Sequence, residues 1–207
     1  MNREVRLLST IITAVTFATT FALINRWLRP GVRLHPGDII KPQAVSHIAS
    51  TFPQNELDFV LSCWDFVATE IEYQPIISDV DVLDSIIQCG SGCTNPISVL
   101  NAGKANCFGS SILLVSLLRN KLPPERVFMA LGELRKNGTG GHAWCIAHPQ
   151  FGSWYTLEAT LDKLPENPWV PYPHPLYIDE VLFNDRIIEA QPGVTVHLRL
   201  DPCYERC

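Results

Sequence analysis

"KANCFGSSILLVSLLR", residues 104–119, sets a cysteine at the head of an apolar run, just behind Gly103, Lys104 and Asn106, which read as the end of a loop. Phe108, Ile112, Leu113, Leu114, Val115, Leu117 and Leu118 would surround a helix on nearly all sides. A helix that is apolar all round is buried inside the protein. Pro123 and Pro124 end the segment. Cys107 is therefore either an inert core thiol or a reactive group presented at the loop-facing end of a buried helix. The second position lies at the positive end of the helix macrodipole, which favours thiolate over thiol.

Outward from this helix the pattern changes on both sides. Upstream, "NELDFVLSCWDFVATEIEY" (55–73) carries Leu57, Val60, Leu61, Trp64, Val67, Ala68 and Ile71 at helical spacing, with Asn55 as N-cap and Pro75 beyond the end. A second short helix is expected over 80–88. Downstream, "RVFMALGEL" (126–134), "GHAWCIAH" (141–148) and "SWYTLEAT" (153–160) read as strands joined by the turn-like "RKNGTGG" and "PQFGS". Pro165 to Pro175 is expected to run irregularly over the surface, and "VTVHLRL" (194–200) alternates as an edge strand. Helices followed by an antiparallel meander predict an α+β domain, with the buried helix packed on the sheet.

A nucleophilic cysteine needs a base and a group that orients the base. His142 stands at the start of a strand, after a glycine-rich turn and among small neighbours. By itself it reads equally as a satisfied surface histidine. Glu158 lies in an otherwise apolar and aromatic strand, where a carboxylate is costly unless paired. If 141–148 and 153–158 form a hairpin, His142 and Glu158 become cross-strand neighbours on one face. The competing reading is a solvent-facing acid on an edge strand, with Asp162 as the fallback orienter.

The three motifs together resemble the transglutaminase-like superfamily. "NCFGSSILLVSLLR" is similar to its turn into a buried helix, "GHAW" to its His-Ala-Trp strand opening, and "WYTLEAT" to its strand ending Asp-Pro-Thr. The order Cys, His, acid fits, as do the gaps of 35 (107 to 142) and 16 (142 to 158), and "VATEIEY" is similar to the leading helix that ends in Ile-x-Tyr. The gaps exclude a papain-type layout. The resemblance spans residues 55 to about 160 and implies a papain/transglutaminase-like core with Cys107, His142 and Glu158 as catalytic residues. It implies thioester acyl transfer on a protein or peptide substrate, by hydrolysis or by transfer to an amine, and no cofactor or metal. A non-catalytic membrane-associated binding domain on the same fold is the contrasting reading. Glu158 and Ala159 stand where the family has Asp and Pro, so the orienting carboxylate is one methylene longer. The backbone N–H of Cys107 would be one oxyanion donor; Asn101, Gln88 and Trp64 are candidates for a second.

The rest of the chain frames this domain. Of 207 residues 46% are hydrophobic and 18% charged, and the net charge of −5 with scattered Lys and Arg argues against a nucleic-acid partner. "LLSTIITAVTFATTFALIN" (7–25) is uncharged, and its 19 residues would span about 28 Å as a helix. A membrane anchor, a cleaved signal peptide and an ordinary helix all remain open, so a membrane-anchored or secreted location is expected. The segments expected are 1–28 (hydrophobic), 29–50 (linker or lead-in), 51–201 (catalytic domain) and 202–207 (tail). Cys89 with Cys93 and Cys203 with Cys207 form two C-x3-C pairs, readable as disulfides, a zinc site or unrelated thiols. Cys63 and Cys145 fall in apolar runs and read as small buried hydrophobes.

Overall fold

The computed structural model describes residues 36–74, 95–135, 139–150, 152–160 and 169–190, all within one compact unit, Arg33–Cys207. The apolar segment 7–25, the helix expected over 80–88, the strand expected over 194–200, both C-x3-C pairs, Gln88 and Asp162 lie outside the described residues.

In chain order the helices are α1 (Pro36–Ile39), α2 (Ser46–Ala49), α3 (Glu56–Glu70), α4 (Pro96–Ala102) and α5 (Cys107–Leu118). The strands are β1 (Glu72–Tyr73), β2 (Lys104–Ala105), β3 (Val127–Arg135), β4 (Thr139–Ala147), β5 (Tyr155–Leu157), β6 (Trp169–Pro171), β7 (Tyr177–Phe183) and β8 (Ile188–Ala190). The last six form one antiparallel sheet in the order β6-β5-β4-β3-β7-β8. The architecture is α+β, a cysteine-headed buried helix on an antiparallel sheet, the layout that the resemblance to the transglutaminase-like superfamily implies.

The apolar run decides the interior. Every residue of α5 is buried, and its side chains join Val60, Cys63 and Val67 of α3 with Val127, Met129, Leu131, Ala143, Cys145 and Val181 of the sheet in the main core. Burial of this kind stabilises by roughly 25 cal/mol per Å2 of apolar surface. Cys63 and Cys145 are free thiols within that core, and burial is the main reason their pKa values are raised. A second, smaller cluster of Ala130, Trp144, Ile146 and Tyr177 occupies the opposite face of the sheet.

The described part of 29–50 packs as a lead-in, one of the two readings of that segment: Ile39, Ile40 and Val45 enter the core, and the Lys41 amide donates to Ser116 Oγ of α5 at 3.1 Å. The proline-rich stretch is not wholly irregular, because Trp169–Pro171 pairs with β5 as β6. Pro171 is tolerated because β6 is the edge of the sheet. The strand at 177–183 was not expected, and it matters for the site.

Candidate active site

Cys107 is delivered by a short relay of backbone structure. Asn95 and Ser98 form a capping box at the start of α4, and Gly103 ends that helix at φ 63, a left-handed conformation that glycine adopts without strain. The chain then forms β2, which pairs in parallel with β1 at the end of α3, setting Ala105 opposite Tyr73. Asn106 follows as the N-cap of α5, its side chain accepting from the Gly109 amide at 2.9 Å. Cys107 is thus the first helical residue, where a helix leaves amides without intrahelical partners.

The loop-facing end of this helix is less open than the sequence implies. Cys107 is 5% exposed and belongs to the main core, because the apolar run encloses the first turn as fully as the others. His142 is 8% exposed and Glu158 2%. Neither bland alternative applies: His142 is not a surface histidine, and β5 is flanked by β4 and β6, so Glu158 is not on an edge strand.

His142 and Glu158 meet at 2.6 Å, through Nε2 and Oε2. The pairing of β4 with β5 sets Cys145 opposite Leu157 and Ile146 opposite Thr156, so Glu158 continues the line opposite Trp144. Glu158 is therefore a diagonal neighbour of His142 rather than a direct one. A slip of two residues keeps the same face, and diagonal partners remain within reach of long side chains. On the other side of His142, β3 presents Gly132, and the Ile178 main chain occupies the position a Cβ would take there.

The carboxylate is saturated with donors. Oε1 accepts from the Thr160 amide at 3.0 Å and the Thr160 hydroxyl at 2.6 Å; Oε2 accepts from His142 and, at 3.3 Å, from the Tyr177 hydroxyl. Burial pushes Glu158 up, but His142 and Thr160 outweigh it and hold the carboxyl below its usual range. Burial likewise opposes the charge on His142, but hydrogen bonds to Cys107 and Glu158 overcome this and push it up to about 10. An ionised carboxylate only accepts, so Nε2 carries the proton shared with Glu158 and Nδ1 is the nitrogen left for the Cys107 thiol. The three side chains form one contiguous chain of interactions from the helix terminus to the end of β5.

Among the other candidates, Trp64 is corrected. Its indole N–H donates to the main-chain carbonyl of Glu158 at 2.7 Å, so it holds the acid rather than serving an oxyanion. Asn101 is exposed on α4. Tyr177 and Thr160 escaped the sequence reading: Tyr177 sits in the unexpected strand, and Thr160 in a motif read only for its acid. Trp144 Nε1 and Thr156 Oγ1 are buried without a hydrogen-bond partner among the described residues, on the face that carries His142. Among the described residues, no group of three or more His, Cys, Asp or Glu side chains is placed to hold a metal ion.

No protein-family description matches the chain, and no curated protein does. Among the solved structures similar in outline are three of note. A Cytophaga hutchinsonii chain described as a candidate cysteine protease is 18% identical at a TM-score of 0.45, over 64% of this chain and 42% of that one. Legionella pneumophila LapG is 12% identical at a TM-score of 0.46, over 75% of this chain and 90% of that one. A TGase is 17% identical at a TM-score of 0.37, over 73% of this chain and 39% of that one. This chain thus spans less than half of the Cytophaga and TGase chains. With TM-scores below 0.5 these are likenesses of outline, and the chemistry rests on the side chains.

Proposed function

We propose that this protein carries out cysteine-dependent acyl transfer, with Cys107 as nucleophile, His142 as acid and base, and Glu158 as the group that orients His142. The observation that carries the reading is the buried 2.6 Å pair of His142 and Glu158 beside a cysteine at a helix N-terminus. Burying a histidine and a carboxylate serves no packing purpose that two apolar residues would not serve better. Buried titratable groups with strongly shifted affinities, gathered around a nucleophile, are the mark of a working site.

The steps follow from the placement. Cys107 Sγ, its proton held on His142 Nδ1, attacks the carbonyl carbon of an amide. The first-turn amide of Cys107 faces the developing oxyanion. The tetrahedral intermediate collapses, His142 protonates the departing amine, and a thioester remains on Sγ. Water, deprotonated by His142, then attacks the thioester and releases an acid, which makes the reaction hydrolysis of a peptide, isopeptide or glutamine amide bond. An amine in place of water gives a new amide and a cross-link.

Labelling with iodoacetamide near neutral pH tests the nucleophile. Cys107 is expected to react faster than Cys63 and Cys145, and His142→Ala is expected to remove that advantage. Intact mass of the protein incubated with a peptide library should show an acyl adduct on wild type and none on Cys107→Ala. Equal reactivity of Cys107, Cys63 and Cys145 in wild type and His142→Ala sinks the assignment. Adding a primary amine to the same incubation separates hydrolysis from transamidation by product mass.

A further inference from the structure

β7 does not run straight beside β3. Met129 stands opposite Phe183 and Leu131 opposite Val181, but the next pair is Gly132 with Asp179, so Glu180 is an extra residue in β7. In an uninterrupted strand Tyr177, Val181 and Phe183 would point to one face. Val181 and Phe183 do lie in the main core under α5, whereas Tyr177 lies in the second cluster with Trp144 and Ile146. The extra residue reverses the alternation, which is how a bulge re-aims a side chain. Gly132 makes the reversal possible: a Cβ there would stand 1.9 Å from the Ile178 carbonyl oxygen.

We propose that Tyr177 is a positioning residue of the Cys107–His142–Glu158 site, delivered by the bulge at Glu180 over Gly132 so that its hydroxyl pins the carboxylate oxygen that orients His142. The proposal rests on the acyl-transfer reading. Thr160 fixes Oε1 of Glu158 with two hydrogen bonds, yet among the described residues Oε2 is reached by His142 and Tyr177 alone. Without the hydroxyl, His142 and Oε2 would hold only each other, and a glutamate has one more rotatable bond than an aspartate through which the pair can swing. Tyr177 itself is well held, packed edge-on to Trp144 at 5.2 Å and to His174 at 5.9 Å. Burial and the Glu158 charge raise its pKa, so the hydroxyl keeps its proton and donates.

Several elements meet at this junction. His142 comes from β4, Thr160 from beyond β5, Cys107 from α5, and His174 from the turn before β7. Asp179, on β7 itself, is hydrogen-bonded to Tyr172.

The test uses the full chain with Tyr177→Phe, which keeps the ring and removes the hydroxyl. Cys107 alkylation by iodoacetamide, followed from pH 5 to 10, reports on the thiol–imidazole pair without any substrate. Loss of one positioning hydrogen bond is expected to slow it about threefold to tenfold. Nitrogen NMR of the His142 imidazole supplies a second readout on folded protein. The unshared carboxylate charge should keep His142 protonated to a pH about half a unit higher. Tyr172→Phe, in the same aromatic cluster but engaged by Asp179, is expected to leave both readouts unchanged. The proposal is overturned if Tyr177→Phe superimposes on wild type in both, or if Tyr172→Phe shifts them equally. If wild-type Cys107 shows no His142-dependent reactivity, the acyl-transfer reading falls and this assignment with it. If that reactivity is present and insensitive to Tyr177, only the assignment falls.

Discussion

The indole N–H of Trp64 donates to the main-chain carbonyl of Glu158 at 2.7 Å, joining the middle of α3 to the end of β5 across 94 residues of sequence. This contact anchors the backbone of the acid, while Thr160, His142 and Tyr177 anchor its carboxylate. Trp64→Phe retains most of the packing and leaves a buried carbonyl without its donor. It should lower stability by about 1–3 kcal/mol. It should also reduce acyl-transfer activity more than a core substitution of equal stability cost elsewhere in α3. Urea unfolding and initial rates on the same preparations check this. Equal losses of activity in Trp64→Phe and such a core variant would reduce Trp64 to packing.

The ion pair of His142 and Glu158 gives stability a defined pH dependence. Below pH of about 6.5 a free histidine is charged in both states, and the folded protein keeps that charge up to about 10. The contribution of His142 is therefore full below about 6.5 and is lost as pH rises toward 10. Glu158 is depressed in the folded state, so its contribution is present above the unfolded carboxyl value of about 4.3 and is lost as pH falls through the folded one. The stability difference between wild type and His142→Gln/Glu158→Gln should peak at about pH 5–6.5 and shrink toward pH 10. Urea midpoints at three pH values measure it, and a flat difference would contradict a charged pair.

Much of this was legible in the sequence because the signals were local. The apolar run of α5, the Asn55 cap of α3 and the two central strands each follow from residues within one element. Asn55 accepts from the amides of Leu57 and Asp58 as a cap should. The pairing of His142 with Glu158 survived an error of two in register because strand alternation has period 2. What escaped depends on exceptions to periodicity. The bulge at Glu180 breaks the alternation of "YIDEVLF", so period 2 in the sequence groups Tyr177 with Val181 and Phe183, whereas the strand turns it to the opposite face. β6 is three residues long and contains a proline, so only its partner β5 identifies it as a strand. The enclosure of Cys107 depends on packing from several elements, which no window of sequence reports.

Thr156 offers a test of the buried polar atoms around the site. Its hydroxyl is fully buried on β5, between β6 and β4, and has no hydrogen-bond partner among the described residues. An unmade hydrogen bond of this kind costs roughly 1–3 kcal/mol relative to an apolar group of the same shape. Thr156→Val, with equal branching and strand preference, should leave the fold unchanged and raise its stability by up to about that amount. Chemical unfolding decides it. A loss of stability would mean that the hydroxyl has an acceptor in solution, such as a water shared with Trp144 Nε1, the other orphan on this face.

Gly132 is where the fold and the site depend on the same atom. It stands opposite His142 on one side and Asp179 on the other, and the Ile178 carbonyl lies where its Cβ would be. That neighbour is backbone, so no rotamer change relieves Gly132→Ala; β7 itself must move. Overpacking of this kind costs about 1–3 kcal/mol, and a steric conflict with main chain belongs at the upper end. The displacement should draw Tyr177 away from Glu158, so the variant should lose stability and also show the slower Cys107 alkylation expected of Tyr177→Phe. In the double variant Gly132→Ala/Tyr177→Phe the alkylation losses should not add, because both remove the same hydrogen bond. Additive losses would show that Gly132 acts on His142 directly, by crowding the imidazole, rather than through Tyr177.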